Sequence, residues 1–176
     1  ITGFAENDTI TLKARLFDIP GNETVGNESS TKLLIDETPP SLVSVSYESD
    51  FSDSSLATVG NVITLTFETD VEILTPTTTI SNNSANISNL GSNRWSGAYT
   101  MQESDEDGVI PFQIGTLTDS RGNPTEGSSE TTDGTQVTFD NTAPTLNPVS
   151  ILSNNPSTEW AKVGDTVIVT FTAEEL

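Results

Sequence analysis

A nine-residue stretch occurs twice. Val59-Gly60-Asn61-Val62-Ile63-Thr64-Leu65-Thr66-Phe67 returns as Val163-Gly164-Asp165-Thr166-Val167-Ile168-Val169-Thr170-Phe171, an offset of 104 residues (163 minus 59). At the same offset Asp36 maps to Asp140, Thr38 to Thr142, Pro40 to Pro144, Leu42 to Leu146 and Ala57 to Ala161. No gap is needed. Turn and strand chemistry that recurs at a fixed spacing marks a tandem array, in which each period is one folded module. The 176-residue chain then holds one complete unit, about 38–141, flanked by partial ones. Residues 1–37 read as the C-terminal part of a repeat and 142–176 as the N-terminal part of the next. Joined, the two ends would still lack about thirty residues of a period. Each end is expected to be an unfinished sandwich with open edges, and the chain reads as an internal piece of something longer.

Each unit is all-β by pattern. Ile63, Leu65 and Phe67 alternate with Thr64 and Thr66, which sets one face inward and one in water. Ile10, Leu12, Ala14 and Leu16 alternate likewise and predict a half-buried strand. A polar loop should follow the turn at 18–22, then a short strand over 32–35. Further strands are expected at 42–47, 77–81, 86–89, 94–101, 109–114 and 136–139. Trp95 and Tyr99 are the large core candidates. Pro111 points to an edge or bulge position. Asp36-Glu37-Thr38-Pro39-Pro40 and Asp140-Asn141-Thr142-Ala143-Pro144 read as short stiff linkers, because proline holds the backbone extended and donates nothing to a ladder. About seven strands per hundred residues, with turns between them, predict tandem immunoglobulin-like β-sandwich repeats.

The chemistry is narrow. There is no cysteine and no histidine. That removes disulfides, thiolate metal sites, the thiol nucleophile and the commonest general base. No phosphate loop or nucleophile elbow is present. Carboxylate pairs fall in polar turns, where they are solvated rather than tuned, so no enzymatic role is expected. Acids outnumber bases 26 to 6, for a net charge of −20. From Leu33 to Asn93 there is no Lys or Arg. Such a surface repels nucleic acid and anionic lipid and draws in divalent and small cations. It also suits simple solubility in a salty medium. No apolar run approaches a membrane span.

Calcium, or another divalent cation, is the cofactor this oxygen-rich chain is best equipped to hold. Glu103-Ser104-Asp105-Glu106-Asp107-Gly108 opens like a calcium loop, but Ile114 stands where a bidentate Glu is needed. An acidic hairpin turn is the plainer reading. The second candidate is the domain junction. Asp36 and Asp140 sit in the linkers, and Asp18 and Asp119 open Asp-x-x-Gly-Asn turns. Loops cluster at the ends of a sandwich, so these could meet Asp70 and Glu72, or Glu174 and Glu175, from a neighbouring unit. A turn-forming role alone is the alternative. Asn7, Asn22, Asn27, Asn82 and Asn86 each begin an Asn-x-Ser/Thr acceptor for glycosylation. Ser and Thr exceed a quarter of the chain, so this count is close to chance.

The linkers, the strand Ala57 to Phe67 with its copy Ala161 to Phe171, and the turn Thr118 to Asn123 together resemble the immunoglobulin-like repeats of large prokaryotic surface proteins. The run Ser153 to Thr166 is most similar to repeats in surface-layer proteins of marine ammonia-oxidising archaea, and also to bacterial adhesin repeats. The resemblance implies an extracellular, cell-surface array helped by divalent cations. It supplies no metal site residue by residue. Two roles are expected to compete: a surface-layer lattice that self-associates laterally, and the stalk of a calcium-dependent adhesin. A spacer in a secreted enzyme is a third.

Overall fold

The computed structural model describes residues 3–174. Among them the regular elements are all strands, with no helix. The chain divides into two compact units, Ile1–Phe139 and Asp140–Leu176.

The first unit opens with β1 (Thr9–Ile10), β2 (Lys13–Phe17), β3 (Glu23–Glu28) and β4 (Leu33–Leu34). β2 pairs with β3 and β1 with β4, both antiparallel. The alternation over 10–16 is thus interrupted. Around Leu12 the Ser29 hydroxyl accepts from the Leu12 N–H, and the Ser29 N–H donates to the Leu12 carbonyl. Leu12, Ala14 and Leu16 are exposed rather than half-buried, and the expected polar loop contains β3. Alternation reports which side chains share a face. It does not report whether a second layer covers that face.

The remainder of this unit is a sandwich-type β fold. Its strands are β5 (Leu42–Ser49), β6 (Leu56–Ala57), β7 (Val62–Thr69), β8 (Thr78–Ile80), β9 (Asn83–Ser84) and β10 (Asn86–Gly91). Then come β11 (Arg94–Thr100), β12 (Gly108–Val109), β13 (Phe112–Ile114), β14 (Leu117–Thr118), β15 (Pro124–Thr125) and β16 (Thr138–Phe139). One sheet runs β10-β11-β7-β5, antiparallel throughout. The other elements form the short sheets β12-β16-β6 and β13-β8-β9 and the pair β14-β15; β16 and β6 are parallel.

β7 is the centre of the large sheet, and its buried positions are Ile63, Leu65, Phe67 and Thr69. Ile63, Leu65 and Phe67 share one core cluster with Tyr47 and Trp95 of the same sheet and with Ile80, Ile114, Leu117 and Phe139 of the short strands. Each such side chain contributes about 1.5–3 kcal/mol by leaving water. Tyr99 only flanks this cluster. The β5 edge is not left open. The Val45 N–H donates to the Thr132 hydroxyl, the Thr132 N–H to the Val45 carbonyl, and the Tyr47 N–H to the Thr135 hydroxyl. Threonine side chains thereby take ladder positions that a strand would otherwise fill.

Two hairpins turn in two residues. Ser81-Asn82 and Ser92-Asn93 all have positive φ, between 51° and 61°. Two consecutive left-handed residues give the turn whose twist matches paired strands. The single strand expected over 109–114 is split: β12 pairs with β16, and β13 with β8. Pro111 lies between, where the chain changes sheets and a missing N–H costs nothing.

In the second unit β17 (Leu146–Ser153) pairs antiparallel with β18 (Val167–Ala173). The 104-residue offset holds down to single hydrogen bonds. The Val62 N–H donates to Asp50 Oδ1, and the Thr166 N–H to Asn154 Oδ1. The Thr58 N–H is held by Asn61 Oδ1, and the Lys162 N–H by Asp165 Oδ2. The apolar faces fare differently. Leu65 and Phe67 are 0 % exposed, whereas their counterparts Val169 and Phe171 are 58 % and 59 % exposed.

Candidate cation sites at the acidic turns

The two Asp-x-x-Gly-Asn turns fold alike. Asp18 Oδ1 accepts from the Asn22 N–H, and Oδ2 from Asn22 Nδ2. Asp119 Oδ1 accepts from the Arg121 and Asn123 N–H groups, and Oδ2 from Asn123 Nδ2. Gly21 and Gly122 have φ of 96° and 101°, a region glycine enters without strain. The hydrogen bonds from Asn22 hold the Asp18 carboxyl below its ordinary value. Asp119 is buried, which pushes its carboxyl up, but the donors of Asn123 and Arg121 outweigh this and hold it low. A carboxylate in such a cradle is kept ionised by its own turn.

The structure brings a linker and a loop acid together. Arg121 Nε lies 3.0 Å from Asp36 Oδ2, and Asn123 Nδ2 reaches the Asp36 carbonyl while also holding Asp119. Asp36 is thus tied to the Asp119 turn through Arg121 and Asn123. The positive charge beside Asp36 is a guanidinium, whereas Asp119 is held by backbone and amide N–H donors. Neither Arg121 nor Asn123 stood out as a site residue in the sequence. Their signal is that one of only six basic residues sits inside the repeated turn, where Pro20 stands in the first copy.

Asp70 is engaged within the first unit. Its carboxylate accepts from the Ser41 N–H and hydroxyl, which hold its pKa low. Glu174 repeats this at the offset, accepting from the Thr145 hydroxyl at 2.8 Å. Asp140 caps the Thr142 N–H as Asp36 caps that of Thr38. Glu72 is exposed beside a shallow depression bordered by Trp95 and Asn93. Glu175 lies outside the described residues.

In the 103–108 loop, Asp105 is the anchor. Its Oδ1 accepts from the Ser81 hydroxyl, Asn83 Nδ2 and the Tyr99 hydroxyl, and its Oδ2 from the Gln102 N–H. Burial first, and the Asp105 charge second, push the Tyr99 phenol up. Glu103 and Asp107 are exposed. Asp105 thus ties the loop to the β8–β9 turn, which is hairpin-turn chemistry. Among the described residues no three acidic side chains gather as a metal-holding group.

The acceptor asparagines are all exposed. Asn22 is committed to Asp18. Asn82 sits in the β8–β9 turn, Asn86 begins β10, Asn27 lies in β3, and Asn7 occupies a turn with φ of 66°. No helix of the described chain is long and apolar enough to cross a membrane. No protein-family model, curated protein or solved structure matches this chain.

Proposed function

We propose that the chain is a structural segment of an extracellular cell-surface protein, whose tandem β-sandwich repeats build an acidic, cation-attracting surface-layer lattice. The observation that carries this reading is the repeat itself. Turn side-chain oxygens and linker caps recur at 104 residues with the same hydrogen bonds, as in a module copied to propagate geometry. The charge of −20 supports it, because a wall of such modules concentrates cations and turns anions away. Divalent cations would act between modules, at carboxylates such as Glu72, Glu103 and Asp107 that lie exposed on the surface. No catalytic step is assigned to any residue.

A stiff adhesin stalk is the second reading, favoured by the Asp36 clamp. Arg121 and Asn123 grip the linker at the start of their own repeat, which limits its swing. Calcium titration of the whole chain, followed by thermal unfolding and particle size, separates the two. A hundredfold excess over the dissociation constant adds about 2.7 kcal/mol to stability if calcium binds only the folded state. A higher Tm with sheet-like assembly supports the lattice; a higher Tm without assembly supports the stalk. No change beyond that of sodium at equal ionic strength refutes cation binding. Arg121→Ala should cost under about 1 kcal/mol, since its guanidinium is largely exposed. It should nevertheless speed hydrogen exchange around Asp36. Unchanged exchange would rule out the clamp.

A further inference from the structure

The threonine closure of the β5 edge leaves a gap beside it. A neighbouring strand would place a side chain over the sheet at every second residue. Thr132 and Thr135 reach the Val45 and Tyr47 N–H groups with hydroxyls instead. Between residues 129–136 and the corner at Pro111, a cleft of about 340 Å³ remains. That is the low end of the range for small-molecule sites. Its floor is apolar: Tyr47, Ile110 and Phe112 are all buried, and the Tyr47 and Phe112 rings meet at 5.1 Å, tilted by 47°. Its lip is mixed. Val109 and Pro111 lie exposed on one side, Glu130 and Gln136 on the other.

One polar group on the floor is poorly served. Tyr47 is 4 % exposed, yet its hydroxyl reaches only the Ile110 carbonyl, at 3.5 Å. That is longer than the roughly 3.0 Å limit of a good O–H···O bond. Both residues line the cleft, so a third group can sit there, accepting from the phenol and donating to the carbonyl. A hydroxyl does both. The charge at the mouth is one-sided as well. Glu130 is the only charged side chain among the residues that line the cleft, and the net charge of −20 enriches cations and depletes anions around it.

We propose that this cleft binds a small amphiphilic amine. Its apolar ring rests on Tyr47 and Phe112, its hydroxyl bridges the Tyr47 phenol and the Ile110 carbonyl, and its ammonium lies at the lip beside Glu130. The site belongs to the first unit alone and needs neither a metal ion nor assembly, so it stands apart from the lattice reading.

The test is titration calorimetry of the whole chain at fixed moderate salt with three probes. Tyramine carries the ring, the hydroxyl and the amine. Phenethylamine lacks the hydroxyl, and para-hydroxyphenylpropionate has an acid in place of the amine. Tyramine should bind once per chain with a dissociation constant on the order of a millimolar, as suits about ten non-hydrogen atoms in an open cleft. Phenethylamine should bind roughly fivefold more weakly, for one lost bridge. The acid should not bind measurably. In Tyr47→Phe, which keeps the ring, the two amines should become equal. In Glu130→Gln, at an exposed position, both should weaken by roughly threefold. The Trp95 unfolding transition is the folding control, and the probe series on the native chain decides the matter should Tyr47→Phe not fold. Absence of saturable tyramine binding would overturn the proposal. So would equal binding of the two amines by the native chain, which marks general attraction to the acidic surface, or binding of the acid as tight as that of tyramine.

Discussion

Phe67 and Phe171 are one repeat position in two environments, and they make an internal experiment. Phe67 is 0 % exposed, and Phe171 is 59 % exposed. Phe67→Ala removes a fully buried ring and leaves a cavity, a loss of about 3–5 kcal/mol. Phe171→Ala forfeits only the two-fifths of its surface already covered, roughly 1 kcal/mol. Trp95 faces Phe67 across the β11–β7 register and is 5 % exposed, whereas Trp160 is 71 % exposed. Urea unfolding followed by fluorescence in a Trp160→Phe background therefore reports the first unit alone. With a slope of ~2 kcal/mol per molar urea, Phe67→Ala should lower the midpoint by about 2 M. Phe171→Ala should not move it. Equal shifts from both variants would refute the exposure of the β17–β18 face. No shift from Phe67→Ala would refute the core assignment.

Asp119 makes a pH-dependent contribution. Its folded-state pKa lies below the unfolded one, so its stabilisation is full above the unfolded value of 3.8 and is lost as pH falls through the folded one. The Tm difference between the native chain and Asp119→Asn should be constant from pH 8 to 5 and shrink as pH falls below 3.8; a difference that grows on acidification would rule out the ionised cradle. Thr78 Oγ1 is buried and has no hydrogen-bond partner. Thr78→Val keeps the shape and removes a group that costs about 1–3 kcal/mol to leave unmade, so Tm should rise; a lower Tm in calorimetry would show that the hydroxyl has work to do.

The repeat and the long strands were legible because both rest on local pattern. Thr and Val in alternation must place Ile63, Leu65 and Phe67 on one face, and the copy at 167–171 repeats it. Burial was not legible in the same way. Phe67 and Phe171 read alike in sequence, and only the presence of a second layer separates them. The two tight turns were harder still. Ser81-Asn82 and Ser92-Asn93 carry no glycine within the turn, so the usual sign of positive φ is missing, and Asn82-Asn83-Ser84 read as a mere gap between strands. Of the candidate site, Asp36 and Asp119 stood out as junction acids, but their link through Asn123 and Arg121 did not. The guanidinium beside Asp36 was not legible, because an acid-rich chain directs attention to metal ions.

The threonine-capped edge of β5 has a mechanical meaning. Thr132 and Thr135 meet Val45 and Tyr47 in the same chain order, and Thr138 and Phe139 then run parallel to Leu56 and Ala57. The entering and leaving segments of the complete repeat thus lie side by side and point the same way. Tension applied between Pro40 and Phe139 draws them in opposite directions along their length. The contacts are loaded together in shear, not unzipped one at a time, and the repeat resists extension through many weak bonds acting at once.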